Sequence, residues 1–181
     1  RRRCRMKVLT FDVATVTGCA FGVAGDKPRA WAVNFGKASD EDRFSKALRM
    51  TATYIERFSP DLVAVEAPVG GREASAMLIG MVACVKGEAA RHGVRVVSYF
   101  PATVRKHFLG KALTGRDFPA LNRAAAKKAI KGAVIARCNL LGWAVDGADA
   151  ADAAALWDFA TSMESRAHQM TSLPGMFEAA R

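Results

Sequence analysis

Five short apolar runs stand out in the first hundred residues, each bounded by turn residues or acids. MKVLTFDV (6–13), GCAFGVAG (18–25), RAWAVNFG (29–36), DLVAVEAP (61–68) and VRVVSYF (94–100) have strand length and are rich in valine and phenylalanine. The second and third are joined by the turn signal GDKP, and such short connections predict that the first three strands pair antiparallel. Between the runs the period changes. Ser39 followed by Asp40, Glu41 and Asp42 is a helix start, and Phe44, Leu48, Thr51, Ile55 and Phe58 then recur at helical spacing. Residues 72–93 read as a second helix, whose Gly80, Ala83 and Gly87 form a stripe of small residues expected to lie close on a sheet.

Beyond residue 100 the chain carries a basic stretch, a long helix around 120–141 and a last helix from about 149 to 165. Three antiparallel strands, then helix–strand–helix–strand, then helices, predict an α/β fold. Its mixed five-stranded sheet has three antiparallel strands followed by two parallel ones, flanked by helices. No repeat or linker divides it, so residues 1–165 are expected to form a single domain, with 166–181 as a C-terminal tail.

Composition narrows the partners. Of 181 residues 51% are hydrophobic, enough for a packed core, while 27 Lys and Arg against 17 Asp and Glu leave a net charge of +10. Such an excess favours a polyanion, and nucleic acid before an anionic membrane. No apolar run approaches the roughly 18 residues of a membrane span, and RRRCR is followed by no secretory h-region. Cys4, Cys19, Cys84 and Cys138 lack metal or disulfide spacing. They point to reduced thiols and a cytoplasmic, or cytosol-like, DNA-containing compartment.

Against this basic background DGADAADAAAL (146–156) holds three aspartates among alanines. Asp149 and Asp152 are three apart and share one helix face, while Asp146 reads as the helix cap and Asp158 as a solvated acid. Asp12 and Glu66 close the first and fourth apolar runs, where strands emerge from the core. Singly each has a plainer reading, as a turn, cap or first-turn acid, although a glutamate closing a fully apolar strand needs a partner. If the two strands are neighbours, the four acids converge. Clustered carboxylates repel one another unless a hard cation such as Mg²⁺ or Mn²⁺ joins them. Two such ions about 3.5–4 Å apart activate water and stabilise the leaving oxygen of a phosphodiester.

In these contexts FDVATVTGCAFGV, LVAVEAP and DAADAAAL resemble the three acidic motifs of RuvC-type Holliday-junction resolvases of the ribonuclease H-like superfamily. The likeness is greatest to phage and prophage members, over roughly residues 6–165. The resemblance implies that Asp12, Glu66, Asp149 and Asp152 are catalytic and bind two Mg²⁺ ions, with Mn²⁺ able to substitute. It implies a homodimer that nicks opposed strands of a four-way junction, leaving 5′-phosphate and 3′-hydroxyl ends. It matches VRKHFLGK to the family's basic segment, with Arg105, Lys106 and Lys111 facing DNA phosphates. Two departures stand out. The D-P-G start of cellular resolvases is replaced by Asp12-Val13-Ala14, and the aromatic often found three residues after the glutamate is Val69, followed by Gly70 and Gly71. The first leaves catalysis untouched; the second keeps open a broader nuclease acting on forks and flaps.

Arg123, Lys127 and Lys131 recur every four residues beside Lys128, a charged stripe that reads either as a second DNA-binding face or as a solvated one. Phe100 and Phe108 flank the basic segment and read as core rather than base-stacking residues, and His107 as incidental. Two other classes are weighed. A non-catalytic nucleic-acid-binding module would need the basic face but not all four acids. An actin-like phosphotransferase would need a second domain to close over a nucleotide.

Overall fold

Alternation of side chains along each strand sorts the molecule into two apolar layers on either side of one sheet. In this computed structural model, which describes residues 5–68 and 75–172, the strands are β1 (Lys7–Asp12), β2 (Val16–Val23), β3 (Arg29–Asn34), β4 (Leu62–Glu66) and β5 (Arg95–Tyr99). The sheet order is β3-β2-β1-β4-β5. β1–β2 and β2–β3 are antiparallel, and β1–β4 and β4–β5 parallel, as the runs and connections predict. The helices are α1 (Asp40–Phe58), α2 (Ala76–Arg91), α3 (Pro101–Leu109), α4 (Arg123–Leu140) and α5 (Ala148–Ser172).

On one face Leu9, Phe11, Val63 and Val65 pack against α1 and α2. On the other Val8, Ala20, Leu62 and Ala64 pack against α5, with α3 and α4 outside it. That second face is built from small groups. Thr10, Gly18, Ala20, Gly22 and Ala64 meet a helix whose own inner side is Ala150, Ala153 and Ala154, all buried. The alanines around the aspartates thus bring a helix backbone close to a sheet. Thr10 fastens it, its hydroxyl donating to the Ala153 carbonyl at 2.8 Å. Further along, Leu156 and Trp157 are 1% and 2% exposed, each burial contributing about 2 kcal/mol.

The ends of α1 follow the expected signals. Ser39 caps it through Asp42 N, and the chain leaves through Ser59 in the left-handed region. Elsewhere the structure differs. The small stripe of α2 does not face the sheet: Ala83 and Gly87 are exposed, and Gly80 lies against the Phe44 ring of α1. Met81, Val82 and Val85 make the buried side instead. The basic stretch after β5 folds as α3, started by Pro101, stopped by Gly110 at φ 79°, and anchored by buried Val104 and Phe108. The backbone of α5 runs on to Ser172 rather than ending near 165. It begins at Ala148, so the residue flanking it is Gly147, and Asp146 is not the cap. Cys4, Val69, Gly70 and Gly71 lie outside the described residues. Among those described, Cys19, Cys84 and Cys138 are free thiols and no helix is long and apolar enough to cross a membrane.

Candidate active site

Parity along the strands decides where the acids point. Val8 and Thr10 face α5, so Asp12, two residues on, lies on the same side at the end of β1. Leu62 and Ala64 likewise carry Glu66 to that side of β4. Phe11 is opposite Val65 in the parallel register, so Asp12 and Glu66 follow side by side. On α5, Asp149 and Asp152 project from the first turns toward the same edge. One carboxylate oxygen from each of Asp12, Asp149 and Asp152 lies within 4.8 Å of the others. Glu66 stands outside that triangle, hydrogen-bonded to Asp12.

Two local devices permit this approach. The β1–β2 loop is closed by Thr17, whose hydroxyl donates to Ala14 O at 2.7 Å and accepts from Ala14 N at 3.3 Å. Gly18, paired with Asp12 across β1–β2, leaves room for the Asp149 backbone; a Cβ there would overlap the Asp149 carbonyl. A glycine inside a strand signals a close backbone approach, but nothing in the sequence says which backbone approaches. The sequence reading missed both roles.

The electrostatics are those of crowded acids. Burial, then the hydrogen bond with Asp12 and the charges of Asp12 and Asp152, push the Glu66 carboxyl up to about 10. Burial and the Asp12 charge push Asp152 to about 7. Arg105 of α3 acts against both shifts, so its guanidinium charge is felt at the acid cluster. Lys131 of α4 goes further. Its ammonium donates to Asp149 Oδ1 at 2.8 Å and stands 3.8 Å from Asp152 Oδ2. Burial works against that charge, yet the hydrogen bond to Asp149 and the charges of Asp149, Asp152 and Asp12 outweigh it and hold the lysine above its ordinary pKa.

The remaining basic residues stay on the surface. Lys106, Lys111, Arg123, Lys127 and Lys128 are exposed. Lys127, Lys128 and Lys131 line an open groove of about 530 Å³ between α4 and the start of α5. His107 has a structural partner: its Nε2 lies 3.0 Å from Asp158 Oδ2, tying α3 to α5, so Asp158 is not simply solvated. The two phenylalanines separate. Phe108 is buried, whereas Phe100 is 65% exposed, the only aromatic among the exposed large hydrophobics of the described residues. It follows Tyr99, which pairs with Glu66, so it sits at the same sheet edge as the acids.

The donor set suits a hard divalent cation. It offers carboxylate oxygens alone, and a single ammonium and a nearby guanidinium leave two of the four acids far above their ordinary range. Linkage gives a check. Folded Glu66 keeps its proton up to about 10, while the unfolded group releases it near 4.5. The native state therefore binds more protons in that window, and stability falls as pH rises through it. In EDTA the melting temperature is expected to drop from about pH 5 to about pH 8, and Glu66→Gln to flatten that drop. A slope unchanged by the substitution would show that Glu66 is not the group carrying the proton.

No protein-family model and no curated protein matches the sequence. Solved structures do match. RuvC of Thermus thermophilus superposes with a TM-score of 0.62 at 22% identity, over 88% of this chain and 97% of that one. The same protein in complex with a Holliday junction substrate gives 0.63 at 23%, over 92% and 98%. The yeast mitochondrial Holliday junction resolvase Ydc2 gives 0.52 at 11%, over 92% and 85%. What this chain shares with these proteins, at such low identity, is their ribonuclease H-like fold.

Proposed function

We propose that this protein is a divalent-metal-dependent endodeoxyribonuclease that resolves four-way DNA junctions by paired nicks. The observation that carries the reading is the convergence of Asp12, Asp149 and Asp152 within 4.8 Å, with Glu66 bonded to Asp12. The fold supports it, being shared with a RuvC bound to a Holliday junction substrate.

Two Mg²⁺ ions, or Mn²⁺ in their place, would be held by these four carboxylates and would supply water activation and charge neutralisation at the phosphoryl group. The chain's own contribution is positional. Asp12 joins the two halves of the cluster, bonded to Glu66 on one side and within 4.8 Å of the oxygens of Asp149 and Asp152 on the other. Glu66 and Asp152 are the groups that give up protons as a cation binds, so affinity for the cation rises with pH. Arg105, whose charge acts on Glu66 and Asp152, would hold an oxygen of the scissile phosphate. Lys106 on α3 and Lys111 just after it, and Arg123, Lys127 and Lys128 on α4, carry the backbone on either side. Water adds to phosphorus and the bond to the 3′ oxygen breaks, leaving 5′-phosphate and 3′-hydroxyl ends.

Paired nicks need two centres. The described residues contain one cluster able to hold a metal, so the second comes from another copy in a homodimer. The defining experiment is nicking of labelled four-way junction, fork, flap and linear duplex, with Mg²⁺ and with EDTA. Metal-dependent, paired cuts in the junction alone are expected. Cutting of several branched forms would keep the site and widen the substrate. Binding without any cutting would move the protein to the non-catalytic class.

Phe100 gives this reading a second handle. An exposed ring at the acid edge of the sheet is a stacking surface for an unpaired base at a branch point. Phe100→Ala is expected to weaken junction binding in EDTA by about 1–3 kcal/mol, with linear duplex binding unchanged in gel-shift titrations. Equal loss on both substrates, or none, would remove the ring from branch recognition.

A further inference from the structure

Lys131 belongs to two features at once. It is the last lysine of the groove that Lys127 and Lys128 also line, one helical turn beyond them on α4. It is also the only lysine among the described residues paired with the acid cluster, 2.8 Å from Asp149 Oδ1 and 3.8 Å from Asp152 Oδ2. Its side chain is 35% exposed, against 30% and 21% for the two aspartates, so the contact lies at the mouth of the cluster, where it can open without unpacking the core.

The oxygens that Lys131 engages are those that Asp149 and Asp152 would offer to a metal. An ammonium donating to a carboxylate oxygen occupies its lone pair and the space in front of it, and its charge repels a divalent ion a few ångströms away. The two cations therefore exclude one another. A lysine stem has four flexible carbons, and the open groove beside Lys131 is lined with lysines and no acid. An ammonium released from the aspartates can swing toward it, where a phosphate offsets the repulsion of Lys127 and Lys128.

Resting on the metal-dependent nuclease reading, we propose that Lys131 is a built-in counter-ion of the metal-free site, displaced from Asp149 and Asp152 into the α4 groove when a divalent cation binds. The lysine holds the acids together between turnovers and weakens cation binding in the absence of DNA. A backbone phosphate in the groove takes up the displaced charge. Idle metal loading is thereby penalised until substrate arrives.

The test is a Mn²⁺ titration of the DNA-free protein, followed by the electron paramagnetic resonance signal of free Mn²⁺, for wild type, Lys131→Met and Lys127→Met. Lys131→Met is expected to bind Mn²⁺ about tenfold more tightly, and Lys127→Met, which removes a groove charge without touching the acids, to bind as wild type does. In EDTA, Lys131→Met is expected to melt at a lower temperature, with the difference abolished by saturating Mn²⁺. A merely structural lysine would lower the melting temperature in both conditions and leave Mn²⁺ affinity alone. Lys131→Gln, which keeps a donor for Asp149 without the charge, gives the same comparison should the methionine variant not fold. Equal or weaker Mn²⁺ binding by both Lys131 variants would overturn the counter-ion role while leaving the nuclease reading intact. Absence of Mn²⁺ binding by wild type and variants alike would overturn both.

Discussion

Asp12→Asn is expected to reduce junction cleavage in Mg²⁺ by at least about a thousandfold while leaving junction binding in EDTA unchanged. Asp12 is the one acid common to both halves of the cluster: its oxygen lies within 4.8 Å of those of Asp149 and Asp152, and its carboxyl bonds Glu66. An amide has the same shape but neither the charge nor the second acceptor oxygen that a hard cation requires. The substitution also removes a charge that raises both Glu66 and Asp152. The metal-free variant is therefore expected to be at least as stable as wild type, which separates loss of chemistry from loss of fold. Single-turnover cleavage, gel-shift binding and melting in EDTA test the three parts together. Cleavage at the wild-type rate would show that the acid cluster is not the catalytic centre.

Gly18→Ala is expected to destabilise the protein by about 3 kcal/mol. The added Cβ would overlap the Asp149 carbonyl oxygen, lie 2.6 Å from its carbonyl carbon and 3.2 Å from the Ala153 Cβ. The first two are backbone atoms, so no rotamer change relieves them. Either α5 lifts from the sheet or β2 bends. Each response moves Asp149 relative to Asp12, so activity should fall in the fraction that still folds. Gly87→Ala is the control: its Cβ meets nothing within 4 Å, and replacing a mid-helix glycine should stabilise by about 0.5–1 kcal/mol. Urea unfolding of the two variants compares them directly. A Gly18→Ala protein as stable as wild type would mean that α5 does not press on β2 at this point.

Both predictions depend on how much of the site can be read before folding. The acids could be read. Asp12 and Glu66 close apolar runs, and a period of two residues puts each on a definite side of its strand. Asp149 and Asp152, three apart, share a helix face by geometry alone. The antiparallel pairing of the first three strands followed from their short connections, whereas the fold brought β4 beside β1. Where local signals were ambiguous, the reading went astray. α2 is apolar nearly all round, so its small stripe did not say which face is buried; the Phe44 ring and the neighbouring strands decided that. α3 is short, and its start and stop signals, Pro101 and Gly110, were overshadowed by its charges. Phe100 and Phe108 are equally apolar, yet one is buried and the other exposed because only one points along the inner face of α3.

By itself the sequence determined the strands, the helix periods, the basic balance and the positions of four carboxylates along the chain. These are consequences of residue type and of repeat distances in a single element, which hold wherever that element lies. Only the tertiary structure decided that Gly18 makes room for the Asp149 backbone, that Thr10 fastens α5, that His107 meets Asp158, and that Lys131 of the basic stripe also pairs with Asp149 and Asp152. Those contacts join residues distant in the chain, and their energies depend on separations of a few ångströms that no spacing within one element contains.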